Sequence, residues 1–65
     1  MEVVDNYEIA DGHMVEILQT EQPKNPNNEL VCIVKNNTLI HSAVCNSVDQ
    51  RIAFVKAFLK SKGLV

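Results

Sequence analysis

The stretch LVCIVKNNTLIHSAV, Leu30 to Val44, limits what this chain can fold into more than any other. Val31, Cys32, Ile33 and Val34 favour extended backbone, as do Thr38, Leu39 and Ile40. Between them, Asn36 and Asn37 tolerate the left-handed conformation that a tight turn requires. The segment therefore reads as a hairpin. A two-residue turn sets Lys35 opposite Thr38, Val34 opposite Leu39, Ile33 opposite Ile40 and Cys32 opposite His41. One face then collects Leu30, Cys32, Val34, Leu39, His41 and Ala43, and the other Val31, Ile33, Ile40 and Ser42. A sheet with one wet face alternates apolar and polar residues. This hairpin is apolar on both sides, so both sides ask for cover.

A second hairpin precedes it. In YEIADGHMVEILQT, Asp11-Gly12 lies between apolar-rich flanks, the strongest short-range hairpin signal. The flanks, Val3 to Ala10 and His13 to Thr20, are expected as strands one and two. Then EQPKNPNNE, residues 21–29, breaks the pattern with two prolines and three asparagines. Pro23 and Pro26 cannot donate to a ladder, so this piece reads as a flexible loop.

A helix is expected over 47–63. Ser47 followed three residues later by Gln50 makes a capping box. Asp49 in the first turn and Lys60 and Lys62 in the last suit the helix dipole, and Gly63 suits a C-terminal stop. Val48, Ile52, Val55 and Leu59 form one apolar stripe at helical spacing; Phe54 and Phe58 form a second beside it. The first stripe is expected to lie on the sheet.

The order is β-β-β-β-α. The expected fold is α+β: a four-stranded antiparallel meander of two β-hairpins with one C-terminal α-helix packed on one face. It occupies one small domain, 1–65, divided into an acidic hairpin at 1–20, a flexible loop at 21–29, an apolar hairpin at 30–45 and the helix at 47–63. A chain of 65 residues buries only about 60% of its unfolded surface, so its stability is marginal. One helix covers one face, and 46% of the residues are hydrophobic. That surplus points to a second chain or a partner protein, and a homodimer through the open sheet face, an edge strand or the Phe stripe would resolve it.

The net charge of −2 hides a segregation. Residues 1–23 carry Glu2, Asp5, Glu8, Asp11, Glu16 and Glu21 with no Lys or Arg, which is −6. Residues 24–65 carry six basic residues against Glu29 and Asp49, which is +4. The halves either fold against each other or mark a partner surface. The N-terminus shows no basic, apolar leader pattern, no run is long enough to span a membrane, and two cysteines make at most one bridge. The expected setting is cytoplasmic, away from any membrane.

Four residues invite chemistry: His13, Cys32, His41 and Cys45. On paper they are a Cys2His2 set. Structural zinc sites bring ligands as close pairs, whereas here the spacing is Cys-x8-His-x3-Cys with His13 on another hairpin. Core packing of the cysteines is the favoured reading, and no metal or cofactor is expected. A Cys–His nucleophile pair needs a thiolate, a base in reach, an orienting group and an oxyanion hole, and so short a chain offers no convincing pocket for substrate. Two glycines, each used by a turn or a cap, leave none for a phosphate loop. The chain is expected not to be an enzyme.

Two binding readings are left. Lys35, Arg51, Lys56 and Lys60 offer phosphate contacts, which would make a nucleic-acid-binding regulator. A pI near 5.5 and few aromatic residues weigh against it. Protein binding accounts for more: surplus apolar surface, open sheet edges and an acidic hairpin. The expected partner-binding residues are Glu8, Glu16, Phe54 and Phe58. The function expected is a self-associating interaction module, a regulator or inhibitor of a larger protein, of the accessory kind carried by phages and plasmids.

Overall fold

The computed structural model describes residues 2–19 and 28–65. It has the expected α+β architecture. Strands β1 (Glu2–Glu8), β2 (Met14–Gln19), β3 (Glu29–Lys35) and β4 (Thr38–Cys45) form one antiparallel sheet in the order β1-β2-β3-β4, followed by helix α1 (Val48–Ser61). The expected loop at 21–29 lies outside the described residues up to Asn27. Its last residue, Glu29, is strand, paired with Gln19 and Cys45.

The two turns form as their residues dictate. Asp11 and Gly12 both have positive φ, 61° and 73°, and the His13 N–H closes onto the Ala10 carbonyl at 3.3 Å. Asn36 and Asn37 do the same job with φ of 52° and 61°. Positive φ at both central residues matches the right-handed twist of the flanking strands, which is why such turns dominate short hairpins. The first hairpin's strands are shorter than expected by the residues nearest the turn: Ile9, Ala10 and His13 belong to the connection.

The helix begins and ends on recognisable caps. The Gln50 N–H donates to Ser47 Oγ at 3.1 Å. The reciprocal arm reaches one residue further back, where the Asn46 N–H donates to Gln50 Oε1 at 3.0 Å. At the other end, Gly63 has φ of +69°, its N–H bonds the Lys60 carbonyl, and the Leu64 N–H bonds the Leu59 carbonyl. That pair of bonds is the Schellman arrangement, which consumes carbonyls the helix end leaves open.

One register shift rearranges the second hairpin. Val34 pairs with Leu39 as expected, but Ile33 pairs with His41, which leaves Ile40 as an extra residue in β4. This β-bulge overturns two expected pairs, Ile33 with Ile40 and Cys32 with His41; Cys32 faces Ser42 instead. From His41 onward the bulge moves the β4 side chains to the opposite face from the expected one. A similar irregularity at Val4 breaks β1.

The pairings define the two faces of the sheet. Under the helix, the rows are Tyr7-Val15-Ile33-His41, Asp5-Ile17-Val31-Ala43 and Glu2-Gln19-Glu29-Cys45. Val15, Ile17, Val31 and Ile33 are wholly buried there, with Cys45 from the sheet and Val55 and Phe58 from the helix. Ile9, Ala43, Phe54 and Leu59 pack around them.

The helix is turned from its expected orientation. Val48 and Ile52, expected on the sheet, are 55% and 49% exposed, and Phe58 takes the core position beside Val55. Rings explain the choice. Phe58 meets the buried His13 ring edge-on at 5.1 Å, and Phe54 stacks on His41 at 5.2 Å. Two phenylalanines carry more apolar area than Val48 and Ile52, and each finds an aromatic neighbour.

A candidate protein-binding face

The face away from the helix consists of three rows: Glu8-Met14-Val34-Leu39, Asn6-Glu16-Cys32-Ser42 and Val3-Leu18-Leu30-Val44. Two apolar rows flank a polar one. Rows on one face of a strand are two residues apart, about 7 Å. Met14, Leu18, Leu30, Cys32 and Val34 are half-buried, and Leu39 and Val44 stand 58% and 63% exposed. No described element covers this face.

Glu16 is its chemical centre. Strand alternation sends Val15 and Ile17 into the core, so Glu16 must point the other way. It has no hydrogen bond or ion pair to a described residue. Its charge, with burial as the larger cause, pushes the neighbouring Cys32 thiol upward in pKa. Beside it lies a cleft of about 480 Å³ lined by Gly12, Met14, Glu16, Val34, Asn36 and Asn37. Met14 and Val34 supply apolar walls and Glu16 a carboxylate. A lysine or arginine side chain matches that combination, burying its stem and pairing its head group. Glu8 occupies the same face one row away, next to Met14.

The expected site residues are therefore divided. Glu8 and Glu16 come together on the open face. Phe54 and Phe58 are on the helix side, where Phe58 is buried in the core and Phe54 stays half-exposed against His41. The four basic residues are also split. Lys35 Nζ sits 3.0 Å from Asp11 Oδ2 at the two hairpin tips and holds that carboxyl below its ordinary pKa. Arg51 lies 3.8 Å from Glu29 Oε1. Lys56 and Lys60 remain exposed on the helix. Asp11–Lys35 is the one ion pair between the acidic and basic halves among the described residues; Glu2, Asp5, Glu8 and Glu16 make none.

The Cys/His set is dispersed. His13 is buried at the first turn, where its Nδ1–H donates to the Ala10 carbonyl at 3.0 Å. His41 and Cys45 share the helix-side face but are four residues apart along β4, roughly 13 Å. Cys32 is on the other face. Among the described residues no three His, Cys, Asp or Glu side chains gather closely enough to hold a metal ion. Burial is also the larger cause of the raised Cys45 thiol pKa, which disfavours the thiolate a nucleophile needs.

What the sequence missed is the row structure, since it depends on the Ile40 bulge. The position of Glu16 between buried residues was legible from strand alternation alone. Among the described residues no helix is long and apolar enough to cross a membrane. No family model matches the chain, and no curated protein or solved structure matches it.

Proposed function

We propose that this chain is a non-enzymatic, cytoplasmic protein-interaction module that self-associates and regulates or inhibits a larger protein through its open sheet face. The observation that carries the reading is the pattern of that face: two apolar rows about a polar one, with Glu16 in the middle, unpaired among the described residues, and a cleft at its side. Its complement is a partner surface with apolar side chains on either side of a lysine or arginine. Glu8 and Glu16 speed the encounter with such a surface, and the apolar rows hold it. Nucleic acid is the weaker alternative, because Lys35 and Arg51 already have carboxylate partners and Lys56 and Lys60 alone make a small phosphate footprint.

Selection from a random displayed-peptide library tests the reading, with counter-selection on the Glu16→Lys/Val34→Glu double variant. The expected binders combine apolar anchors with a basic residue, weaken as salt rises, and shift the amide resonances of Met14, Glu16, Cys32 and Val34. Binders that prefer the double variant equally, or that map to Lys56 and Lys60, would remove the open face from the mechanism. Retardation of DNA or RNA at low salt, lost in Lys56→Glu/Lys60→Glu, would favour the alternative.

A further inference from the structure

The sheet ends in two edges of very different character. Strand β1 carries Glu2, Asp5 and Glu8 along its seven residues. Charge on an edge keeps other strands from adding to it. Strand β4, at the opposite edge, runs eight residues, Thr38 to Cys45, with no Asp, Glu, Lys or Arg and no proline. Its regular part, His41 to Cys45 beyond the bulge, leaves one side of its backbone without a strand partner among the described residues.

The helix extends the same surface. Phe54 stacks on His41 of β4, so the flank of α1 carrying Phe54, Ala57 and Ser61 is turned towards that edge. These residues follow one another three and four apart and bear no charge. With His41 and Phe58 they line an apolar groove of about 210 Å³. An uncharged strand edge and an uncharged helix flank therefore form one continuous margin. The opposite margin, at β1, is acidic.

We infer that β4 pairs with β4 of a second copy of this chain, antiparallel about a two-fold axis. The proposal rests on the self-association reading above and assigns its surface. Two copies of an acidic β1 repel, whereas two copies of β4 bring no like charges together. A two-fold operation is closed and self-complementary, so it removes both open β4 edges at once. The same operation sets the Phe54-Ala57-Ser61 flanks of the two helices opposite each other, over the joined strands. The result is an eight-stranded sheet with both helices on one side. Its other side is a doubled open face, free for the larger partner.

Size-exclusion chromatography with light scattering, from low micromolar to millimolar, tests this on the whole chain. Wild type is expected at twice the 7.3 kDa chain mass. Ala57→Glu and Ser42→Glu change exposed positions, so circular dichroism should show an intact fold, while each raises the dimer dissociation constant at least tenfold. In a mixed-isotope sample, filtered nuclear Overhauser contacts should join the backbone protons of His41–Cys45 between copies. A monomer at all concentrations would overturn this proposal together with the self-association reading. A dimer broken by Val34→Glu but indifferent to Ala57→Glu would overturn the β4 assignment alone, and so would an open-ended polymer built from β4 against β1.

Discussion

The two faces of one sheet have been solved differently by the same strands. On the helix side, Val15, Ile17, Val31 and Ile33 are wholly buried and touch Val55 and Phe58 or their neighbours. On the other side, Met14, Leu18, Leu30, Cys32 and Val34 are nearly as apolar yet lie half-buried, with no described element over them. Composition does not separate the faces; the presence of a covering element does. A core face secures the fold. An apolar face that no described element covers is the feature on which the proposed interaction rests.

The sharpest way to break that comparison is to truncate across it. Ile17→Ala and Phe58→Ala are expected to destabilise by about 2–5 and 3–5 kcal/mol. A domain of this size has roughly 3–10 kcal/mol in total, so either variant approaches unfolding at room temperature. Leu39→Ala on the open face and Ile52→Ala on the exposed helix flank should each cost about 0.5 kcal/mol or less, readable as a small change in thermal midpoint. Equal losses at Ile17 and Leu39 would mean that something covers both faces.

Between these lies the helix cap. Ser47→Ala removes the oxygen that accepts the Gln50 N–H and should cost about 1 kcal/mol in denaturant melts. Its effect should be the same with or without a partner on the open face, since the cap belongs to the helix side.

The smallest effect is electrostatic. Asp11 is held below its ordinary carboxyl pKa first by its hydrogen bond to Lys35 and then by the charge of Lys35. A depressed carboxyl pKa contributes stability above the unfolded value of 3.8, and that contribution is lost as pH falls through the folded value. The pair is exposed, so the change is small. Asp11→Asn should flatten the acid side of the stability-against-pH curve slightly and leave neutral pH almost untouched.

Much of this fold was legible in the sequence because its signals are local. Asp11-Gly12, Asn36-Asn37 and Ser47-x-x-Gln50 act within a few residues, and each forms where it was expected. The bulge at Ile40 was not legible. Leu39, Ile40 and His41 pack acceptably on either face of a hairpin apolar on both sides, so no alternation exposes a one-residue slip. Helix rotation was equally hidden, since two apolar stripes compete and the ring contacts of His13 and His41 with Phe58 and Phe54 form only in the assembled fold. Of the candidate site, Glu16 could be placed on the open face by counting from Val15 and Ile17. The pairing of Lys35 with Asp11, 24 residues away, needed the assembled sheet.

The central claim is that the open face stays uncovered, ready for a partner, even when two copies join at β4. Cys32 lies on that face and Cys45 under the helix, which makes the two thiols natural reporters. The deciding measurement is the rate of alkylation of each thiol in the folded protein, at concentrations where it is monomeric and where it is dimeric. Cys32 should react at least tenfold faster than Cys45, at a rate that does not change with dimer formation. Equal rates, or a Cys32 that becomes protected as dimer accumulates, would show that the face is covered and would contradict the account.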